Sequence, residues 1–269
     1  MTKRIETVFE SVKVQGRAAL VTFIMANDPD FESSLEVLKG LPGAGADIIE
    51  LGMPFSDPVA DGAVIQLAGQ RALKSGGSMK RTLAMAEAFR KENDTTPLIL
   101  MGYANPLYAY GLEAFARDAA KAGIDGLIVV DLPPEEDHEL QKAVQGLGIS
   151  VIRLVTPTTD EARLPKLLNG AGGFLYYVSI AGVTGAARAD LGKITPHISW
   201  IKGQTDLPVA IGFGIKTADD AQEMAAIGDA VVVGSSIVQK IAQMDVSAPD
   251  ASPVLGYVDG LAAALKRSL

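Results

Sequence analysis

The stretch ADIIELGMPFSDPVADG, residues 46–62, decides how this chain is read. It opens with an apolar run of strand length, ADIIEL, that carries Glu50 near its end. It continues as a loop bearing Asp57 and Asp61 and stiffened by Pro54 and Pro58. Proline fixes φ, so such a loop wanders little, and it can return Asp61 to the strand end that carries Glu50. Three carboxylates around one stiff loop raise the question of what architecture wants them there.

The answer lies in the flanking sequence. Runs like 46–51 recur at 19–25 (ALVTFIM), 97–102 (PLILMG), 126–131 (GLIVVD), 150–155 (SVIRLV), 173–179 (GFLYYVS), 208–213 (PVAIGF) and 230–235 (AVVVGS). Most are continuous rather than alternating, as expected of parallel strands covered on both faces. Amphipathic segments separate them. DFESSLEVLKGL (30–41) and LEAFARDAAKAG (112–123) space apolar residues by three and four, the helical period. PPEEDHELQKAVQGLG (133–148) opens with prolines and acids, as helix N-termini do. TADDAQEMAAIG (217–228) opens with a threonine cap. Eight strands alternating with helices predict an α/β fold, a (β/α)₈ TIM barrel. An amphipathic helix precedes it at the N-terminus, and long loops follow the second and sixth strands. A doubly wound dinucleotide fold would want G-x-G-x-x-G after the first strand, where this chain has MANDPD (25–30). No linker or low-complexity run interrupts the pattern, so residues 1–269 read as one domain.

Composition narrows the function. The chain is 48% hydrophobic with only 6% aromatics, so aliphatic side chains must fill the core. A net charge of −8 argues against nucleic-acid binding. A local phosphate site remains open, because backbone N–H groups bind anions without a lysine or arginine. With no cysteine, disulfides, thiolate nucleophiles and cysteine metal sites are excluded. No apolar h-region and no run of membrane-spanning length is present, which reads as a cytoplasmic protein.

Glu50, at a strand's carboxyl end among apolar neighbours, should have a raised pKa and could give and take a proton near neutrality. Position alone divides it evenly between that role and a structural carboxylate. Asp61 could serve beside it, two carboxylates in different environments taking different roles. Taken alone, its position favours a cap on the helix that begins GAVIQ. Asp57 reads as a turn residue first and a partner contact second. Glycine turns follow the last three strands: GVTG (182–185), GFG (212–214) and GSS (234–236). Such turns on adjacent units let backbone N–H groups approach a phosphate. His138 and His197 are read as surface residues. No cluster suggests a metal, and no lysine ends a strand at the mouth, Lys216 lying beyond Gly214. Cofactor-free acid–base chemistry is what remains.

In this order and spacing, GADIIELGMPFSDPVADG, YYVSIAGVTG, GFGI and VVVGSSIV resemble the tryptophan synthase alpha subunit family, over nearly the whole chain. The glycine turns alone would not be specific; the motif from Glu50 to Gly62 is. The resemblance implies a retro-aldol lysis of indole-3-glycerol phosphate to indole and glyceraldehyde 3-phosphate. It makes Glu50 the acid and base, Asp61 the acceptor of the indole N–H, and Tyr176 an active-site tyrosine. It assigns phosphate binding to Gly185, Gly214, Gly234 and Ser235. It lines an indole pocket with Phe23, Met101, Ile128, Val130, Leu154, Thr184, Phe213 and Val232. It implies no cofactor on this chain and a partner, the PLP-dependent beta subunit, in an α₂β₂ complex that passes indole through a tunnel. Pro54 and Asp57 would then face that partner, and residues 180–194 would be a lid.

The chain departs from the family's usual residues at Asn27, where glycine is common, and at Ala63, where proline is common. Asparagine tolerates positive φ, so the turn at residue 27 is expected to survive. The readings that compete are another phosphate-binding barrel enzyme, a barrel kept as an activator of its partner, and a lyase that works alone.

Overall fold

The computed structural model describes residues 3–178, 191–212 and 214–265. Each apolar run is a strand: β1 (Ala19–Met25), β2 (Ile48–Gly52), β3 (Leu98–Gly102), β4 (Gly126–Val129), β5 (Ser150–Val151), β6 (Arg153–Val155), β7 (Leu175–Val178), β8 (Val209–Gly212) and β9 (Ala230–Val233). All pairings are parallel, in the order β5-β4-β3-β2-β1-β9-β8-β7-β6. The two ends of that order, β5 and β6, are halves of one apolar run separated only by Ile152. The order is therefore a ring, and the expected TIM barrel is what the chain forms. The fifth run changes neighbours midway: β5 pairs with β4 and β6 with β7. The Ile152 N–H still bonds Leu127 O at 2.9 Å.

The helices are α1 (Lys3–Val14), α2 (Phe31–Gly40), α3 (Ala63–Lys74), α4 (Met79–Arg90), α5 (Ala104–Tyr110), α6 (Leu112–Lys121), α7 (His138–Val144), α8 (Leu164–Leu168), α9 (Leu191–Lys202), α10 (Ala218–Ala225), α11 (Ser235–Ile241) and α12 (Ser252–Leu265). Local chemistry sets several of their starts. Asp30 caps α2 by accepting from the Ser33 N–H, and Thr217 with Asp220 forms a full capping box on α10. The segment opening with Pro133 and Pro134 behaves differently from expectation. The prolines make a turn, closed by Glu136 N–H to Pro133 O, and α7 begins only at His138. Buried Asp137 precedes it and is paired with buried Arg153 from β6. A tertiary ion pair thus displaces the start that the prolines suggested.

Strand parity divides the core in two. Outward side chains, such as Leu20, Ile49, Leu51, Leu100 and Val231, pack under the helices. Inward ones, such as Val21, Ile48, Ile99, Ile128, Ile152 and Val232, fill the barrel. Helix α1 closes the floor by inserting Ile5, Phe9 and Val12 into that interior, with Phe9 5.9 Å from Phe174 between ring centroids. His138 is exposed. His197 is not the surface residue the sequence suggested: its Nε2 lies 2.8 Å from Thr159 O and its Nδ1 3.0 Å from the Tyr177 hydroxyl. The carbonyl can only accept, so Nε2 carries the proton, and the ring fastens α9 to β7.

Candidate active site

Glu50 shares parity with Ile48 on β2 and points into the barrel. Its register partners are Phe23 on β1 and Ile99 on β3. The residue is 0% exposed, and among the described residues neither carboxyl oxygen has a hydrogen-bond partner. Ordinary buried carboxylates are paired or bonded. Burial without compensation disfavours the charged form, and it pushes the Glu50 carboxyl up to about 8. At neutral pH this side chain holds its proton and can release it to a strong enough acceptor.

Asp61 reaches the same mouth along the loop after β2. The loop leaves the sheet tied to β3, Met53 N–H bonding Met101 O at 2.8 Å. The first helical turn is capped by Gly62 with no side-chain bond, so Asp61 does not cap α3. It is half-buried instead, and its carboxylate accepts from the Tyr103 hydroxyl. Burial raises it to about 6, and the Tyr103 bond opposes that rise. Tyr103 was not singled out in the sequence, and it organises this corner. Its hydroxyl also accepts from the Ala60 N–H at 3.1 Å, and its ring lies 5.6 Å from Phe55. The next residue, Ala104, donates its N–H to Asp131 at 2.8 Å. The only sequence signal was a polar aromatic placed just after a strand.

The neighbouring loop after β1 is held as firmly. Asn27 takes φ 65°, the left-handed conformation expected of it. Arg81 bonds its side chain at 3.1 Å, and Ser75 bonds its carbonyl at 2.9 Å. Buried Asp28 is gripped by Arg71 of α3 at 2.7 and 2.9 Å. Ala63 opens α3 without a proline and the helix still forms. Of the two residues expected at a partner surface, only Asp57 is exposed. Pro54 is buried beside Gly77, so it stiffens the loop from beneath rather than presenting a face. Val59, at 83% exposure, stands on the outside in its place.

Tyr176 on β7 faces into the barrel, buried, and the charges of Glu50 and Asp61 both reach it. Burial first, then those charges, hold its hydroxyl well above the ordinary range. It fits only because Gly212 on β8 lacks a side chain: a Cβ there would lie 2.7 Å from the hydroxyl. Ile128, Val130, Leu154 and Val232 share the interior with Tyr176, and Met101 joins it to the cluster around Phe23. Thr184 and Phe213 lie outside the described residues, as do Gly185 and all of 180–194 before Leu191. Gly214 adopts φ 54°, and Gly234 precedes Ser235, the first residue of α11. The Ser236 hydroxyl bonds Ile215 O at 3.0 Å, which draws these two turns together at the carboxyl ends of adjacent strands.

Among the described residues no group of three His, Cys, Asp or Glu side chains could hold a metal ion, and no helix is long and apolar enough to cross a membrane. The geometry offers proton transfer at an apolar centre, a second carboxylate at the mouth, and glycine turns on the far side. Comparison with known proteins identifies the family. The family model for the tryptophan synthase alpha chain matches residues 9–263. A tryptophan synthase subunit alpha from Legionella pneumophila is 38% identical with TM-score 0.90, covering 98% of each chain. A structure of Mycobacterium tuberculosis tryptophan synthase contains a chain 33% identical with TM-score 0.90, covering 99% of each. The chain belongs to the tryptophan synthase alpha chain family, and it is an indole-3-glycerol-phosphate lyase of tryptophan biosynthesis.

Proposed function

We propose that Glu50 carries both proton transfers of the lysis. Protonated Glu50 delivers its proton to indole C3. The positive charge then spreads to the ring nitrogen, whose N–H donates to ionised Asp61. The Glu50 carboxylate, now formed in an apolar setting, removes the side-chain hydroxyl proton. The bond to C3 breaks, its electron pair restores the aromatic ring, and the aldehyde of glyceraldehyde 3-phosphate forms. Glu50 ends protonated as it began. The observation that carries this reading is the Glu50 carboxyl, fully buried and without a partner.

Tyr176 orients the substrate over Glu50. Phe23, Met101, Ile128, Val130, Leu154, Thr184, Phe213 and Val232 wall the ring, and the backbone at Gly185, Gly214, Gly234 and Ser235 holds the phosphate. The two shifted carboxyls set the expected pH window. Activity falls below about 6 as Asp61 takes a proton, and above about 8 as Glu50 loses one.

The partner is a PLP-dependent beta subunit in an α₂β₂ complex, met by the exposed edge of the Asp61 loop at Asp57 and Val59. Such a contact would link partner binding to the placement of Asp61. The test is indole release from indole-3-glycerol phosphate with and without that subunit. Slow release that rises strongly with partner is expected. Fast release indifferent to partner would favour a lyase that works alone, and no release in either case would remove the proposal.

A further inference from the structure

The next inward-facing position beyond Glu50 on β2, one step toward the mouth, is Gly52. A Cβ there would lie 2.6 Å from the tip of the Phe23 ring, Cζ, and 3.0 Å from the Met25 sulfur. On the other side of β1, a Cβ at Gly234 would lie 3.3 Å from the Phe23 Cβ. The stem of Phe23 therefore stands against one bare backbone and its ring tip occupies the space of another. Its register partner is Glu50 itself. The ring is thus seated over the next position toward the mouth from Glu50, and Phe23 is 7% exposed.

We propose that Gly52 is a positioning residue whose missing side chain seats the Phe23 ring as a water shield over Glu50. This rests on the reading of Glu50 as the acid and base. Among the described residues, the titratable groups facing this centre are Tyr176 from β7 and, at the mouth, Asp61 with Tyr103. Strands β1, β3 and β9 set only Phe23, Ile99, Met101 and Val232 around it. Among the described residues no cation offsets the burial, so exclusion of water is what keeps the proton on Glu50.

The test is a carboxyl NMR titration of protein labelled with ¹³C-glutamate, the Glu50 signal being assigned by its loss in Glu50→Gln. Gly52→Ala pushes the ring aside without altering it; Phe23→Leu removes it. Both are expected to lower the Glu50 midpoint by about one unit or more, with the basic limb of kcat/KM moving the same way. Phe23→Tyr keeps the ring and should keep the parent midpoint. The double variant should shift no further than the larger single, since both changes act through one contact. A midpoint unchanged or raised in Gly52→Ala overturns the proposal, and this variant decides alone if Phe23→Leu does not fold. If Glu50→Gln retained lysis while Gly52→Ala still lowered the midpoint, the catalytic reading would fall and the shielding would stand.

Discussion

The two ends of the barrel use the same side chains in opposite ways. At the floor, Asp47, Asp125 and Asp229 each precede a strand and accept the backbone N–H of a residue starting the neighbouring one: Leu20, Leu98 and Val209, at 2.8, 2.9 and 2.9 Å. Each is also paired with a cation: Arg17, Arg4 with Arg90, and Lys202. At the mouth, Glu50 is at least as deeply buried as any of these three, and among the described residues it has neither a cation nor a bond. Floor carboxylates fix strand register. Among the described residues the mouth carboxyl is left unsatisfied, and that is what raises its hold on a proton. Burial alone distinguishes nothing here; the absence of a partner does.

If that contrast holds, Glu50→Gln should lower lysis by about a thousandfold while the fold survives, measured as indole release beside circular dichroism. Loss within tenfold would mean that the unsatisfied carboxyl is not the acid and base. The mirror experiment is Asp125→Ala. Removing it leaves Arg90 buried without its counter-ion, so stability should fall by roughly 3–5 kcal/mol in denaturant titration. The kcat of protein that remains folded should be unchanged. An intact stability would erase the division of labour between floor and mouth.

A smaller effect tests the cost of leaving Glu50 unsatisfied. Its folded value near 8 exceeds its ordinary 4.5, so the unfolded chain loses this proton first. The parent therefore loses stability as pH rises from about 4.5 to about 8. Glu50→Gln has no such loss and should be the more stable protein near pH 8, with the gap closing in acid. A gap independent of pH would contradict the raised carboxyl. The smallest effect belongs to Tyr103→Phe. The Tyr103 bond lowers the Asp61 carboxyl, so without it Asp61 binds its proton more tightly. The acidic limb of kcat/KM should move to higher pH with a loss of about tenfold or less at neutrality. An unmoved limb would detach Tyr103 from Asp61.

Much of this was legible in the residues. Continuous apolar runs gave the strands, and the end of ADIIEL put Glu50 at the mouth. What stayed hidden were pairings between distant segments. Tyr103 meets Ala60 and Asp61 from another strand's end, and no local pattern announces that. Arg153 shifts the start of α7 by pairing with Asp137, and His197 is drawn under by Tyr177 and Thr159. Pro54 was expected to face a partner, and it is buried instead beside Gly77. The cap alternative for Asp61 failed by one residue, because Gly62 took that place.

The ring order carries one more consequence. Because strands neighbour one another in chain order, Glu50 and Asp61 and the glycine turns lie in opposite halves of the polypeptide, and the sheet joins them at the β1–β9 seam. Phe23 sits on that seam, with Glu50 on one side and Gly234 on the other. A chain emerging N-terminus first thus possesses both carboxylates long before the last strand arrives. On the roles proposed for these residues, no half of it can be an enzyme, and the final stitch of the cylinder is also the moment at which an active site first exists.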